Sequence, residues 1–178
     1  MTLTVISPEV LAAPQPISRI DVHDIDTLKA ALAASPRGRV RINLHPDGDD
    51  DLHEMIIAID SRSYIRPHKH PGKSEAFHLI SGTVDIVVFD DRGEITSIVP
   101  LSTERPGGAF YYRMSKPFFH TLLIRSDVLV VHEITNGPFV KGGSVVADFA
   151  PDESDATAGA RYCADLRQRV SALGQAAP

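Results

Sequence analysis

From Arg39 onward the apolar positions recur in short runs, and within most runs apolar and polar residues alternate. "RVRINL" (39–44) and "EMIIAI" (54–59) open the series. "SYIRPH", "AFHLIS", "TVDIVVFD", "EITSIVPL", "AFYYRM", "FHTLLIR" and "VLVVHEIT" follow. Turn-forming segments separate them: "HPDGDDD", "PGK", "SG", "DDRG", "RPGG", "RSD" and "NGP", with "DDRG" (90–93) the clearest hairpin turn. Short strands at roughly ten-residue spacing predict an all-β domain, an antiparallel sandwich or barrel.

The flanks read differently. Residues 1–18 hold three prolines and no sustained period, and are expected to form a loosely attached arm. "DIDTLKAALAAS" (24–35) predicts a short helix, capped by Asp24 or Asp26, with Ile25, Leu28 and Leu32 on one face. Ser35-Pro36 and Gly38 end it. After Gly143 the strand pattern decays into "DFAPDESDATAG", an acidic linker. "ARYCADLRQRVSAL" then places Tyr162, Leu166, Val170 and Leu173 at helical spacing, as a helix packed on the barrel exterior. The expected organisation is an arm (1–18), a barrel with its leading helix (19–147), and a linker with a C-terminal helix (148–178).

Charge and cysteine usage narrow the partners. A net charge of −5 and the lack of a Lys/Arg cluster argue against nucleic acid. Cys163 is the only cysteine, so no intrachain disulfide forms, which fits a reducing compartment. The N-terminus has no basic region followed by an apolar core, and no apolar run approaches the ~20 residues that span a bilayer. A cytoplasmic protein with no membrane partner is expected.

Candidate chemistry concentrates in "YIRPHKHPGKSEAFHLISG" (64–82). In a strand alternate side chains share a face, so Tyr64, Arg66, His68 and His70 are expected to point the same way. Two imidazoles so placed can converge on one ion, and Pro71-Gly72 turns the chain so that Glu75 adds a carboxylate oxygen. His120, in the apolar run "FFHTLLI", is the fourth candidate ligand. A six-coordinate ion held by these groups keeps open positions, whereas a four-coordinate Zn²⁺ would close into a structural site.

"HKHPGKSEAFHLISG" resembles the first cupin motif: two histidines with one residue between them, then four residues and a glutamate, then six residues and a glycine. His68, His70, Glu75 and Gly82 match it in type and spacing, while Arg62 stands where the motif has an earlier glycine. The second motif survives as its histidine, His120, with Ser115 and Pro117 at the positions of its proline and glycine. "RVRINLHPDGDDDLHEMIIAI", "VVFDDRGEI" and "VVHEITNGPF" make residues 24–140 similar to the WbuC family of cupin-fold metalloproteins. The resemblance implies a jelly-roll barrel with short N- and C-terminal helices and one divalent metal (Zn, Fe, Mn or Ni). It further implies a homodimer and a small-molecule substrate linked to surface-polysaccharide biosynthesis.

Three functions compete at this point. The first is a metal-dependent enzyme, an isomerase or epimerase of a small sugar-like metabolite. The second is a non-haem Fe(II) or Mn(II) dioxygenase, and the third is a non-catalytic metal-dependent binding or scaffold protein. Arg66 and Tyr64 are candidates for holding an anionic substrate group, with solvent exposure at the rim as the alternative for Arg66. His132 is a candidate proton-transfer group or a structural histidine. Asn43 and His45 are candidates for the pocket mouth or for capping the loop that follows. His78 takes the strand face opposite Glu75, Phe77 and Leu79, as a packing or dimer-surface residue. "DGDDD" (47–51) lacks the glycine and glutamate of a calcium loop, and Cys163 lies outside the strand block, so neither enters the site.

Overall fold

The computed structural model describes residues 2–175. Twelve strands run in chain order: β1 (Thr4–Ser7), β2 (Val10–Ala12), β3 (Arg39–Asn43), β4 (Leu52–Asp60), β5 (His68–Lys69), β6 (Glu75–Ser81), β7 (Thr83–Phe89), β8 (Ile95–Ser102), β9 (Tyr111–Met114), β10 (Phe119–Ile124), β11 (Val128–Asn136) and β12 (Val145–Val146). Helix α1 (Val22–Ala31) continues into a single 3₁₀ turn, and α2 (Ala156–Gln175) closes the described chain. One sheet has the order β1-β2-β3-β4-β11-β6-β9 and the other β12-β5-β10-β7-β8. All pairings are antiparallel except β2 with β3. The result is the jelly-roll β-sandwich with two short helices that the sequence predicts.

The layers follow from strand parity. Ile59, Phe77, Leu79 and Val131 of the first sheet face Ile86 and Leu122 of the second, forming the core between the sheets. Alternate residues of the first sheet, Ile42, Ile56, Ala58 and Val130, pack instead against Leu28 and Leu32. On the outer face of the second sheet, Val87, Phe89, Phe119 and Leu123 receive Leu166 and Val170 of α2. Strands β7 and β10 are thus covered on both faces, so they read as nearly unbroken apolar runs rather than as alternation.

The chain changes sheets between β6 and β7, and Gly82 makes this possible. Its φ is +103°, and a Cβ there would stand 2.6 Å from Ser126 Oγ and 2.8 Å from the Val128 carbonyl.

Several expectations need correction. Residues 4–12 are not a free arm: β1 and β2 pair, and β2 extends the first sheet beside β3. Asp21 caps α1, with Asp24 completing the capping box from the third helical position, so neither Asp24 nor Asp26 is the cap. "SYIRPH" is not a strand before His68, because Pro67 offers no backbone N–H and restricts the residue ahead of it. Beyond Gly143 the pattern does not end, since β12 pairs with β5. Among the described residues no helix is long and apolar enough to cross a membrane.

Leu166 is 1% exposed and Leu173 48%. Leu166→Ala is therefore expected to cost about 2–5 kcal/mol in a denaturant titration, and Leu173→Ala no more than about 0.5 kcal/mol. Equal losses at the two positions would contradict the packing of α2 on the barrel.

Candidate metal centre

His68 and His120 stand directly opposite each other on β5 and β10 of the second sheet. His70 follows on the turn that carries the chain across to β6, where Glu75 is the first residue of a strand in the first sheet. The two imidazoles and the carboxylate therefore approach from opposite walls, and parity points Glu75 inward with Phe77 and Leu79. The candidate donor atoms of His68, His70, Glu75 and His120 all lie within 4.8 Å of one another. Two ligands of one ion at bond lengths of ~2.1 Å lie no more than about 4.2 Å apart. The four donors would therefore draw closer together around an ion.

The outward-facing ring nitrogens are all engaged. His68 Nδ1 bonds the Arg66 carbonyl at 2.9 Å and His120 Nδ1 the Phe118 carbonyl at 3.0 Å. A carbonyl only accepts, so both rings carry a proton on Nδ1 and turn Nε2 toward the cavity. His70 Nδ1 lies 2.9 Å from Ser144 Oγ. His70 Nε2 and His120 Nε2 each lie 3.3 Å from an oxygen of Glu75. His120 is 1% exposed, and its Nε2 has no hydrogen-bond partner. A buried lone pair of this kind is costly without a partner, and a metal ion supplies one. The donor set, three nitrogens and one carboxylate oxygen, fits a divalent ion of the borderline class.

Electrostatics agree with this arrangement. Burial, then the neighbouring His120, pulls the His68 imidazole down to about 4, so it is neutral as a ligand must be. Burial alone would raise Glu75, but the close contacts with His120 and His70 and the hydroxyl of Tyr112 outweigh it and hold the carboxyl well below its usual range. Burial likewise opposes charge on His120, yet contact with Glu75 leaves its value raised. The Tyr112 hydroxyl donates to Glu75 Oε1, and burial followed by the Glu75 charge raises that phenol well above its ordinary value.

The other sequence candidates lie elsewhere. The Tyr64 hydroxyl donates to the Pro151 carbonyl at 2.8 Å, and its ring meets α2 at Gly159, where a Cβ would be 2.4 Å from Tyr64 Cδ1. Arg66 is spent on the Ala147 carbonyl and on Asp152. Both residues fasten the C-terminal segment to the barrel and leave the cavity to Ile65. His132 shares the outer side of its sheet with the His78 beside it, and its Nε2 lies 3.3 Å from Glu54 Oε1. Asn43 and His45 do line a cavity, as one of their two readings expected.

Four residues near the centre were not singled out from sequence: Arg41, Tyr112, Glu133 and Ser144. Glu133 shares the inward parity of Leu129 and Val131, and burial followed by the charge of Glu75 pushes its carboxyl up to about 8. Two cavities meet at the centre. The smaller, about 200 Å³, is lined by all four candidate ligands. The larger, about 520 Å³, shares Arg41, His70 and Glu133 with it.

The fold and site thus define a two-sheet β-protein with a convergent three-histidine, one-glutamate centre between its sheets. A family described as a domain of unknown function (DUF6016) matches residues 20–101, which include His68, His70 and Glu75 but not His120. No curated protein matches the chain. Similar solved structures include a protein from Shewanella oneidensis (11% identity, TM-score 0.47, 58% of this chain and 65% of that one). Another is the Bacillus subtilis oxalate decarboxylase, described with Mn(II) centres (18%, 0.43, 55% and 24%). A third is a sugar phosphate isomerase from a cupin superfamily of Silicibacter pomeroyi (14%, 0.43, 56% and 59%). In each case the match spans less than two thirds of the other chain.

In chelator-treated protein, the depressed value of His68 means that the unfolded chain binds a proton before the folded one as pH falls from 6.5. His68 by itself is expected to remove up to about 3 kcal/mol of stability between about pH 6.5 and 4. Glu133, raised to about 8, opposes that loss down to its ordinary 4.5, so the readout is the difference in slope between wild type and His68→Gln. Glu75 adds its own loss only below its ordinary 4.5, and His120, being raised, loses its contribution only as pH rises above 6.5. Urea titrations across that window check the sign; a slope unchanged by His68→Gln would contradict the assignment.

Proposed function

We propose that the chain is a cupin-type metalloenzyme that holds one divalent ion with His68, His70, Glu75 and His120 and isomerises or epimerises a small sugar-like metabolite. The observation that carries this reading is the set of imidazole Nε2 atoms turned inward by tethers on their Nδ1 atoms, at the junction with a larger cavity. A purely structural ion favours a closed shell, whereas His70 borders space large enough for a metabolite. When bound, the ion supplies Lewis-acid polarisation of a substrate oxygen.

The protein's own residues supply the rest. Tyr112 fixes the Glu75 carboxylate, and Ser144 fixes the ring of His70. Glu133 replaces His132 as the proton-transfer candidate, since its carboxyl faces both cavities while His132 faces the other side of the sheet. The sugar-like substrate class comes from the WbuC resemblance.

The test is deuterium incorporation from D₂O into a panel of neutral and acidic sugars without oxygen, using chelator-treated and metal-reloaded protein. Exchange is expected only in the reloaded protein, and Glu133→Gln is expected to slow it by roughly 10²–10⁴-fold with metal content unchanged. Turnover that instead consumes oxygen would replace the isomerase with a dioxygenase. Metal binding without turnover of any panel member would leave a binding or scaffold role.

A further inference from the structure

Three arginines of one short segment, Arg37, Arg39 and Arg41, line the smaller cavity, and only Arg41 also lines the larger one. Arg37 pairs with Glu9 and Arg39 with Glu153. Arg41 makes no ion pair among the described residues. Its Nε donates to Asn43 Oδ1 at 3.0 Å, which orients the guanidinium and leaves its terminal nitrogens without a protein acceptor among the described residues. An oriented guanidinium with free donors matches a planar or tetrahedral oxyanion.

The larger cavity carries further signs of a ligand. Lys73 lines it, its ammonium held on the Pro138 carbonyl at 2.7 Å. His53, also in its wall, is 5% exposed, and its buried Nε2 has no hydrogen-bond partner. The ring of His53 is stacked on His45, with centroids 4.1 Å apart and planes within 3°. Two cations, Arg41 and Lys73, thus line a space of about 520 Å³ together with His53. The acids in the same lining are Asp47 and Glu133.

We propose that this cavity binds a small hydroxylated organic anion, with its acid group on Arg41 and its hydroxyl oxygens toward the His68, His70, Glu75 and His120 cluster. The orientation of the ligand rests on the metal-centred reading above; the anion site itself does not. The chemistry shared by carboxylate and phosphate defines the class, because the guanidinium accepts either. Arg41, rather than Arg66, is then the specificity-determining cation.

Calorimetric titrations with two matched pairs test the assignment: D-glucuronate against D-glucuronamide, and glucose 6-phosphate against glucose. Each is run on wild type and on Arg41→Gln, in metal-loaded and chelator-treated protein, with the metal content of every sample measured. At least one charged member is expected to bind roughly tenfold or more tightly than its neutral partner, with Arg41→Gln removing that preference and leaving metal content unchanged. The pair that discriminates identifies carboxylate or phosphate. Equal binding within both pairs, a preference that survives Arg41→Gln, or no binding of any probe would overturn the assignment. Discrimination that persists in protein unable to hold metal would support the anion site while removing the metal-centred reading.

Discussion

A buried imidazole must satisfy both of its nitrogens, and this requirement organises the centre of the molecule. The carbonyls of Arg66 and Phe118 take one nitrogen each from His68 and His120, and the Ser144 hydroxyl meets a third on His70. Each tether leaves the opposite nitrogen turned inward, where Glu75 and its neighbours cannot pair all of them. Three imidazoles and a carboxylate held this way form a set that could hold a cation. Without the tethers nothing on the outer side would fix which nitrogen of each ring turns inward.

The remainder of the fold keeps those tethers in place. The crossing from β5 to β6 brings Glu75 from one wall toward histidines on the other, and Gly82 returns the chain to the wall of the histidines. Arg66 shows how far the support extends. Its carbonyl orients His68, while its side chain grips the Ala147 carbonyl and Asp152, tying the metal-facing strand to the segment that leads into α2. Tyr64 adds a second tie to that segment through Pro151. Arg66, a candidate for holding substrate by sequence, is instead part of the frame that orients His68.

The clustering of His68, His70 and Glu75 was legible in the sequence because its spacing is local: two histidines with one residue between them, then a turn, then a glutamate that begins a strand. The strand series was legible for the same reason. Tyr64 and Arg66 were misassigned because parity was extended through Pro67, where no strand exists to carry it. His132 was a different failure. "VLVV" is apolar on both faces because one side packs between the sheets and the other against the α1 layer, so the run hides which alternate residues point inward. Glu133 was concealed by that ambiguity. Arg41 and Ser144 reach the site through long-range pairing, β3 beside β4 and β12 beside β5, which no local pattern announces.

The central claim is that four side chains from two sheets converge on one ion. Anomalous diffraction from crystals of protein loaded with Mn(II), recorded with the manganese signal maximised, measures it most directly. The account predicts a single strong peak enclosed by Nε2 of His68, His70 and His120 and a carboxylate oxygen of Glu75. A peak elsewhere, or none at this position in protein that retains manganese in solution, would contradict it.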